Sequence, residues 1–180
     1  LLDKLTPEQL LGVARSADQG PQDWIRARAS ELLFAPGAAR RDGAIKALAD
    51  ERLRAAMPQF NYLPTTVQDE LRKAAIAEAD ATLTTPSGIQ SFITANNDAL
   101  LTQARRLLEE KATSGQPLTN RDHLLRRSLD PALNQTERDA AIQGLKDVPA
   151  GDLDKPYDAT ALKTDGKTFT FGAAPVVDNV

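Results

Sequence analysis

The chain reads as an all-α protein: a bundle of six to seven helices around one long central helix at about 87–113, with a small C-terminal β-hairpin appended. Three observations predict this class. Apolar residues recur at three- and four-residue steps through most of the first 146 positions, which is the spacing of one helix face. Five segments open on Ser or Thr with Gln or Asp three residues later, the pattern of a capping box. Aromatic residues make up only 4% of the chain, so the core has to be mostly Leu, Ala and Ile, which favours helix packed on helix.

Taken in order, Thr6, Pro7 and Gln9 open the first helix: Thr6 as cap, Pro7 in the first turn and Gln9 closing the box. Leu10, Leu11, Ala14 and Ala17 form its buried side, and Gly20 with Pro21 ends it. A second helix is expected at about 22–34, with Trp24, Ile25, Ala29, Leu32 and Leu33 facing inward, before Pro36 and Gly37 break it. The third, at about 38–57, buries Ile45, Leu48, Ala49, Leu53 and Ala56 and shows water a mixture of charges. Gly43 weakens it by up to ~1 kcal/mol relative to Ala and marks a kink or a boundary.

The linker 57–64 carries Phe60, Tyr62 and Leu63 between two prolines. These side chains either tuck into the core and staple the next helix or form an exposed patch for a partner. Thr66 and Asp69 then open a fourth helix along Val67, Leu71, Ala74, Ala75 and Ala79. Thr85, placed before Pro86, resists the helical basin and marks the boundary with the central helix.

That central helix starts from Ser87 and Gln90 and carries a stripe of Ile89, Phe92, Ile93, Leu100, Leu101, Ala104, Leu107 and Leu108. Gly115 is its left-handed stop. Asn96 interrupts the stripe, as a satisfied core amide, a mild bend, or a polar contact in a groove or helix interface. Thr119 and Asp122 open a sixth helix to Leu129, and Thr136 and Asp139 a seventh through Leu145. Together 1–146 form the expected bundle domain.

Beyond Lys146 the character changes. Asp147, Asp152, Asp154 and Asp158 describe an acidic, extended connector. Asp165 and Gly166 suit a type I′ hairpin turn, and Phe169 and Phe171 fall on one face of a strand that needs cover. Residues 147–180 are thus expected to be a tail rather than an independent domain. The helix openings at Leu5 and Leu118 look alike but differ in spacing by one, so no repeat is established.

The formal net charge is −3 and no basic face is visible, which speaks against nucleic acid as a partner. The absence of cysteine excludes disulfides, thiolate metal sites and cysteine nucleophiles. No apolar run reaches the ~18 residues that a membrane helix needs. Abundant Ala, and Arg in excess of Lys, suggest a GC-rich bacterial source. The chain begins without Met and is expected to be a piece of a longer protein, cytoplasmic or secreted, with any signal sequence outside it.

Candidate chemistry is thin. His123 is the only histidine, and beside Asp122 it forms a candidate base oriented by a carboxylate, set against a plain solvated histidine. Glu109 and Glu110 are weighed as paired carboxylates against a wet helix surface. Counting a calcium loop from Asp152 puts Tyr157 and Lys163 where Gly and Glu are needed, so that pattern fails. Arg105, Arg106, Arg126 and Arg127, with Arg121 and Arg138, are expected in a salt-bridged surface with Glu109, Glu110, Asp122 and Asp139.

The expected function is a non-catalytic protein-interaction or scaffolding module excised from a larger bacterial protein, with another protein as partner and no cofactor. Two alternatives stand beside it: a helical domain of a bacterial secreted effector or translocator, and an enzyme acting through Asp122 and His123. The candidate partner-binding residues are Phe60, Tyr62, Leu63, Asn96, Phe169 and Phe171.

Overall fold

A computed structural model of the chain describes residues 2–16, 23–84 and 88–172. It is all-α with one antiparallel two-stranded hairpin. No helix among the described residues is long and apolar enough to cross a membrane. The helices are α1 (Pro7–Ala14), α2 (Asp23–Phe34), α3 (Arg41–Ala56), α4 (Thr65–Thr82), α5 (Gly88–Ile93), α6 (Asp98–Thr113), α7 (Asn120–Ser128), α8 (Gln135–Asp147) and α9 (Ala150–Leu153). The strands are β1 (Leu162–Thr164) and β2 (Phe169–Phe171). The chain divides into two compact units: Leu1–Ala56 with Asp69–Asn97, and Met57–Gln68 with Asp98–Val180.

In the first unit α1 packs on α2 and α3, and α3 packs on α5. Leu10, Leu33, Phe34, Ile45, Leu48 and Phe92 fill the core, and fully buried Ala29, Ala44 and Ala79 let the backbones approach. The Thr6–Gln9 capping box forms as the sequence predicts, with Pro7 in the first turn. Gly43 marks no kink. It lies within the first turn of α3, which runs on unbroken past it, and a Cβ there would stand 3.1 Å from Pro7 Cγ. Trp24 departs from the expectation: it is 68% exposed. Its helical neighbours at i+4 and i+7 are the exposed Arg28 and Glu31, so it shares their face and not that of Ala29 and Leu33.

The long central helix does not form as one element. The chain leaves the helix after Ile93 and re-enters it at Asp98, and a buried arginine binds the segment in between. Arg52 of α3 donates from Nε to Asn97 Oδ1 (2.9 Å) and from Nη2 to the Asn96 carbonyl oxygen (3.0 Å). It also pairs with Glu78 (2.6 Å) and lies over the Phe92 ring, 4.8 Å from its centroid. Those bonds engage the Asn96 carbonyl oxygen and the Asn97 side chain where the i→i−4 ladder is interrupted. Ser87, the expected cap, lies outside the described residues, as do Ala17, Gly20, Pro21, Thr85 and Pro86.

In the second unit α7 packs on α8 and α6, and β2 packs on α8. The linker is core: Met57, Gln59, Phe60 and Leu63 are all buried, and Gln59 Nε2 donates to Ser128 Oγ at 3.0 Å. Two expected caps are displaced. The Pro64 carbonyl accepts the Gln68 N–H, so α4 starts at Thr65 and not after Thr66. Asn134 caps α8 by accepting the Glu137 N–H at 2.8 Å, in place of Thr136; Asn is at least as good a cap as Thr. Thr119 and Asp122 form their box as expected.

The connector 148–158 is not extended throughout: it holds α9, and Thr119 bridges Pro156. The hairpin turn also differs. Thr164 pairs with Phe169, leaving a four-residue loop in which only Gly166 has positive φ (+89°). A type I′ turn needs positive φ at both central residues. Here Asp165 Oδ1 instead accepts the N–H groups of Lys167 and Thr168. Gly115, at φ +84°, follows α6 as the left-handed stop that the sequence implies.

Candidate functional site

Of the six predicted contact residues, Asn96 belongs to the first unit and the other five to the second, where Phe60, Leu63 and Phe169 are buried. Phe60 (0% exposed) and Leu63 (3%) are interior, so the linker presents no aromatic patch. Tyr62 is half-buried. Asn96 is exposed, but it sits in the helix break held by Arg52 and not on an apolar stripe. Phe169 is buried against α8, where the place of a Gly144 Cβ lies 3.2 Å from Phe169 Cβ. Phe171, on the same strand, is half-buried at a shallow depression beside Asn120, Pro156 and Ala161.

The proposed carboxylate–histidine pair is not built. The capping box turns Asp122 inward, where Oδ2 accepts the Thr119 N–H (2.9 Å) and Oδ1 accepts from Lys111 Nζ (2.8 Å). Burial opposes its charge, but the hydrogen bond and charge of Lys111, with the Thr119 bonds, outweigh it and hold the carboxyl below its ordinary range. His123 points elsewhere and stacks on Tyr157, ring centroids 4.0 Å apart and 16° from parallel. Burial, then the charges of Arg127 and Arg126, push its pKa down to about 4. At neutral pH it is an uncharged ring. Glu109 and Glu110 are also separated in role: the first pairs with Arg126 and the second with Arg106. No group of three or more His, Cys, Asp or Glu side chains among the described residues is placed to hold a metal ion.

What the second unit does build is a cleft of about 430 Å3 on α6, α7 and the turn after α7. Its origin is helical spacing. Arg105, Leu108 and Glu109 stand at i, i+3 and i+4 on α6, and His123, Arg126 and Arg127 at i, i+3 and i+4 on α7. Leu129 and Pro131 supply apolar wall, and Asp130 lies at the turn. Arg105 is steered by its Nε bond to the Leu129 carbonyl oxygen at 2.6 Å. Arg126 holds Glu109 Oε1 with both Nε and Nη2 at 2.8 Å. Arg127 meets Glu137 only at 3.7 Å, stands 5.5 Å over the Phe169 ring, and has a buried Nε without an acceptor among the described residues.

Part of the expected salt-bridged surface is present: Arg121 pairs with Asp154, and Arg106 with Glu110. Arg126 also pairs with Glu109 and, loosely, Arg127 with Glu137, whereas Arg105 departs from it with its Nε on the Leu129 carbonyl oxygen. The two i, i+3, i+4 triplets were the available signal for the cleft, and the adjacency of each Arg pair in sequence masked it. Arg52, inside a run of charged residues, carried no local sign of burial.

No protein-family model matches the chain, and no curated protein or solved structure shows significant similarity to it.

Proposed function

We propose that this chain is a protein-interaction module and that its contact site is the arginine-lined cleft on α6 and α7. The observation that carries the reading is that three arginine side chains line one concave site with apolar walls, a combination suited to anchoring a partner's side chain. Arg and aromatic groups are the usual anchors of such contacts, and Tyr157, 39% exposed, stands against His123 at the cleft's edge. Support for an enzyme is weaker. Lys111 and Thr119 already hold the carboxylate beside His123, and His123 has no hydrogen-bond partner among the described residues to orient it.

The test uses the whole 180-residue chain as bait in a lysate of its source, beside an Arg126→Glu variant checked for fold by circular dichroism. Arg126 is the more exposed of the two α7 arginines that line the cleft, with 38% of its side chain accessible against 24% for Arg127. Proteins retained by the native chain and lost by the variant are the expected result. Identical retention by both would remove the cleft as the contact site.

A further inference from the structure

Building on the reading of this cleft as a docking site, we propose that it takes a single carboxylate side chain from a partner polypeptide, flanked by an apolar residue, between Arg105, Arg126 and Arg127. The cleft already displays the chemistry. Glu109 places one oxygen 2.8 Å from two nitrogens of Arg126, so a carboxylate is held there by a guanidinium. Donors remain for a second one. A guanidinium carries five N–H groups. Among the described residues Arg105 uses only Nε, on the Leu129 carbonyl oxygen, and the terminal nitrogens of Arg127 make only a loose 3.7 Å approach to Glu137, while its Nε is buried out of a ligand's reach.

Charge selects the ligand further. Three arginines and two acidic residues, Glu109 and Asp130, line the cleft, which leaves one positive charge to be matched. One carboxylate matches it. A phosphate dianion would face both acidic groups with twice the charge. Burial first, and then the charges of Arg127 and Arg126, keep His123 neutral, so the ring adds no further charge to the cleft. Pro131, exposed beside the nearly buried Leu108 and Leu129, offers the apolar surface that a neighbouring side chain would cover. The volume admits one or two side chains and not a broad surface.

The experiment titrates the isotope-labelled full chain with acetyl-Leu-Glu-Leu-amide, with its Gln counterpart and with inorganic phosphate, following backbone amides by NMR. Saturable shifts confined to 105–109 and 123–131 are expected from the Glu peptide, with the Gln peptide at least about tenfold weaker, since a charge-assisted bond is replaced by a neutral one. Glu109→Gln removes the competing internal carboxylate and should tighten the Glu peptide several-fold, a gain that damage to the fold would not produce. Equal binding of the Gln peptide, shifts from phosphate alone, no shifts at all, or a Glu109→Gln variant that binds no better would each overturn the carboxylate assignment. Equal binding of both peptides would still leave the cleft a docking site. Absence of shifts would leave that reading to the lysate capture, which does not depend on ligand chemistry.

Discussion

At the residue scale, Arg52 carries a full charge into a place where 1% of its side chain is accessible. That is tolerable because each face of the group is met: Asn97 and the Asn96 carbonyl in the plane, Phe92 beneath, and Glu78 at the end. Nη1 makes no aligned hydrogen bond, yet lies 2.6 Å from Glu78 Oε2, so that contact is charge attraction without good direction. Arg52→Met keeps most of the volume and strands the Asn acceptors. We expect a loss of about 2–3 kcal/mol in urea unfolding. Glu78→Gln should cost under about 1 kcal/mol, because Glu78 is 41% accessible and solvated.

His123 gives a pH prediction. Its folded pKa, about 4, lies below the ordinary 6.5, so between those values the unfolded chain binds more protons. Stability is therefore full above 6.5 and falls as pH drops toward 4, by about 1–2 kcal/mol after allowance for the ring's partial exposure. Asp122 acts in the same direction in a lower window. Its contribution is present above the ordinary carboxylate value of 3.8 and is lost as pH falls through its depressed pKa. In His123→Phe, which can keep the stack on Tyr157, the slope between pH 6.5 and 4 should disappear from chemical denaturation curves.

At the scale of single elements, the break at 94–97 is a contest between a local pattern and a distant group. Apolar spacing on both sides favours one continuous helix, while Arg52 holds the turn open. Releasing it should let the helix grow. Carbon chemical shifts of 94–97 in the Arg52→Met variant should move toward helical values, and unchanged shifts would show that the Asn residues break the helix unaided. On α8 the decisive residue is Gly144. A Cβ there would lie 3.2 Å from Phe169 Cβ and 3.3 Å from Leu124 Cδ2, so the glycine is the seat of the hairpin. Gly144→Val should cost about 2 kcal/mol through overpacking and disperse the amide signals of β1 and β2.

At the scale of the whole molecule, each unit is assembled from two separate stretches of chain. The stretch Met57–Gln68 brings buried Met57, Phe60, Leu63 and Val67 to the second unit. Residues after Lys146 contribute buried Val148, Leu153, Leu162 and Phe169 to that unit, and Asn120 ties α7 to them through the Asp152 carbonyl and the Asp158 N–H. Each such side chain is worth about 1.5–3 kcal/mol when fully buried. Truncation after Lys146 should thus cost the second unit its cooperative fold, seen as loss of hydrogen-exchange protection in α7 and α8.

What the sequence determined by itself is whatever acts within about one helical turn. Helix class follows from apolar spacing. The Thr6 and Thr119 caps follow from a hydroxyl three residues before Gln9 and Asp122, and the stop at Gly115 follows from the freedom of a residue without Cβ. Only the tertiary structure decided the rest: the break at 94–97, the burial of Arg52, the interior place of Phe60, the seat of Phe169 and the steering of Arg105. Those outcomes turn on partners remote in sequence, 45 residues for Arg52 and Asn97, 24 for Arg105 and Leu129, and 69 for Gln59 and Ser128. A charged or polar group chooses between water and the interior by what meets it there, and its neighbours in sequence do not say what that will be.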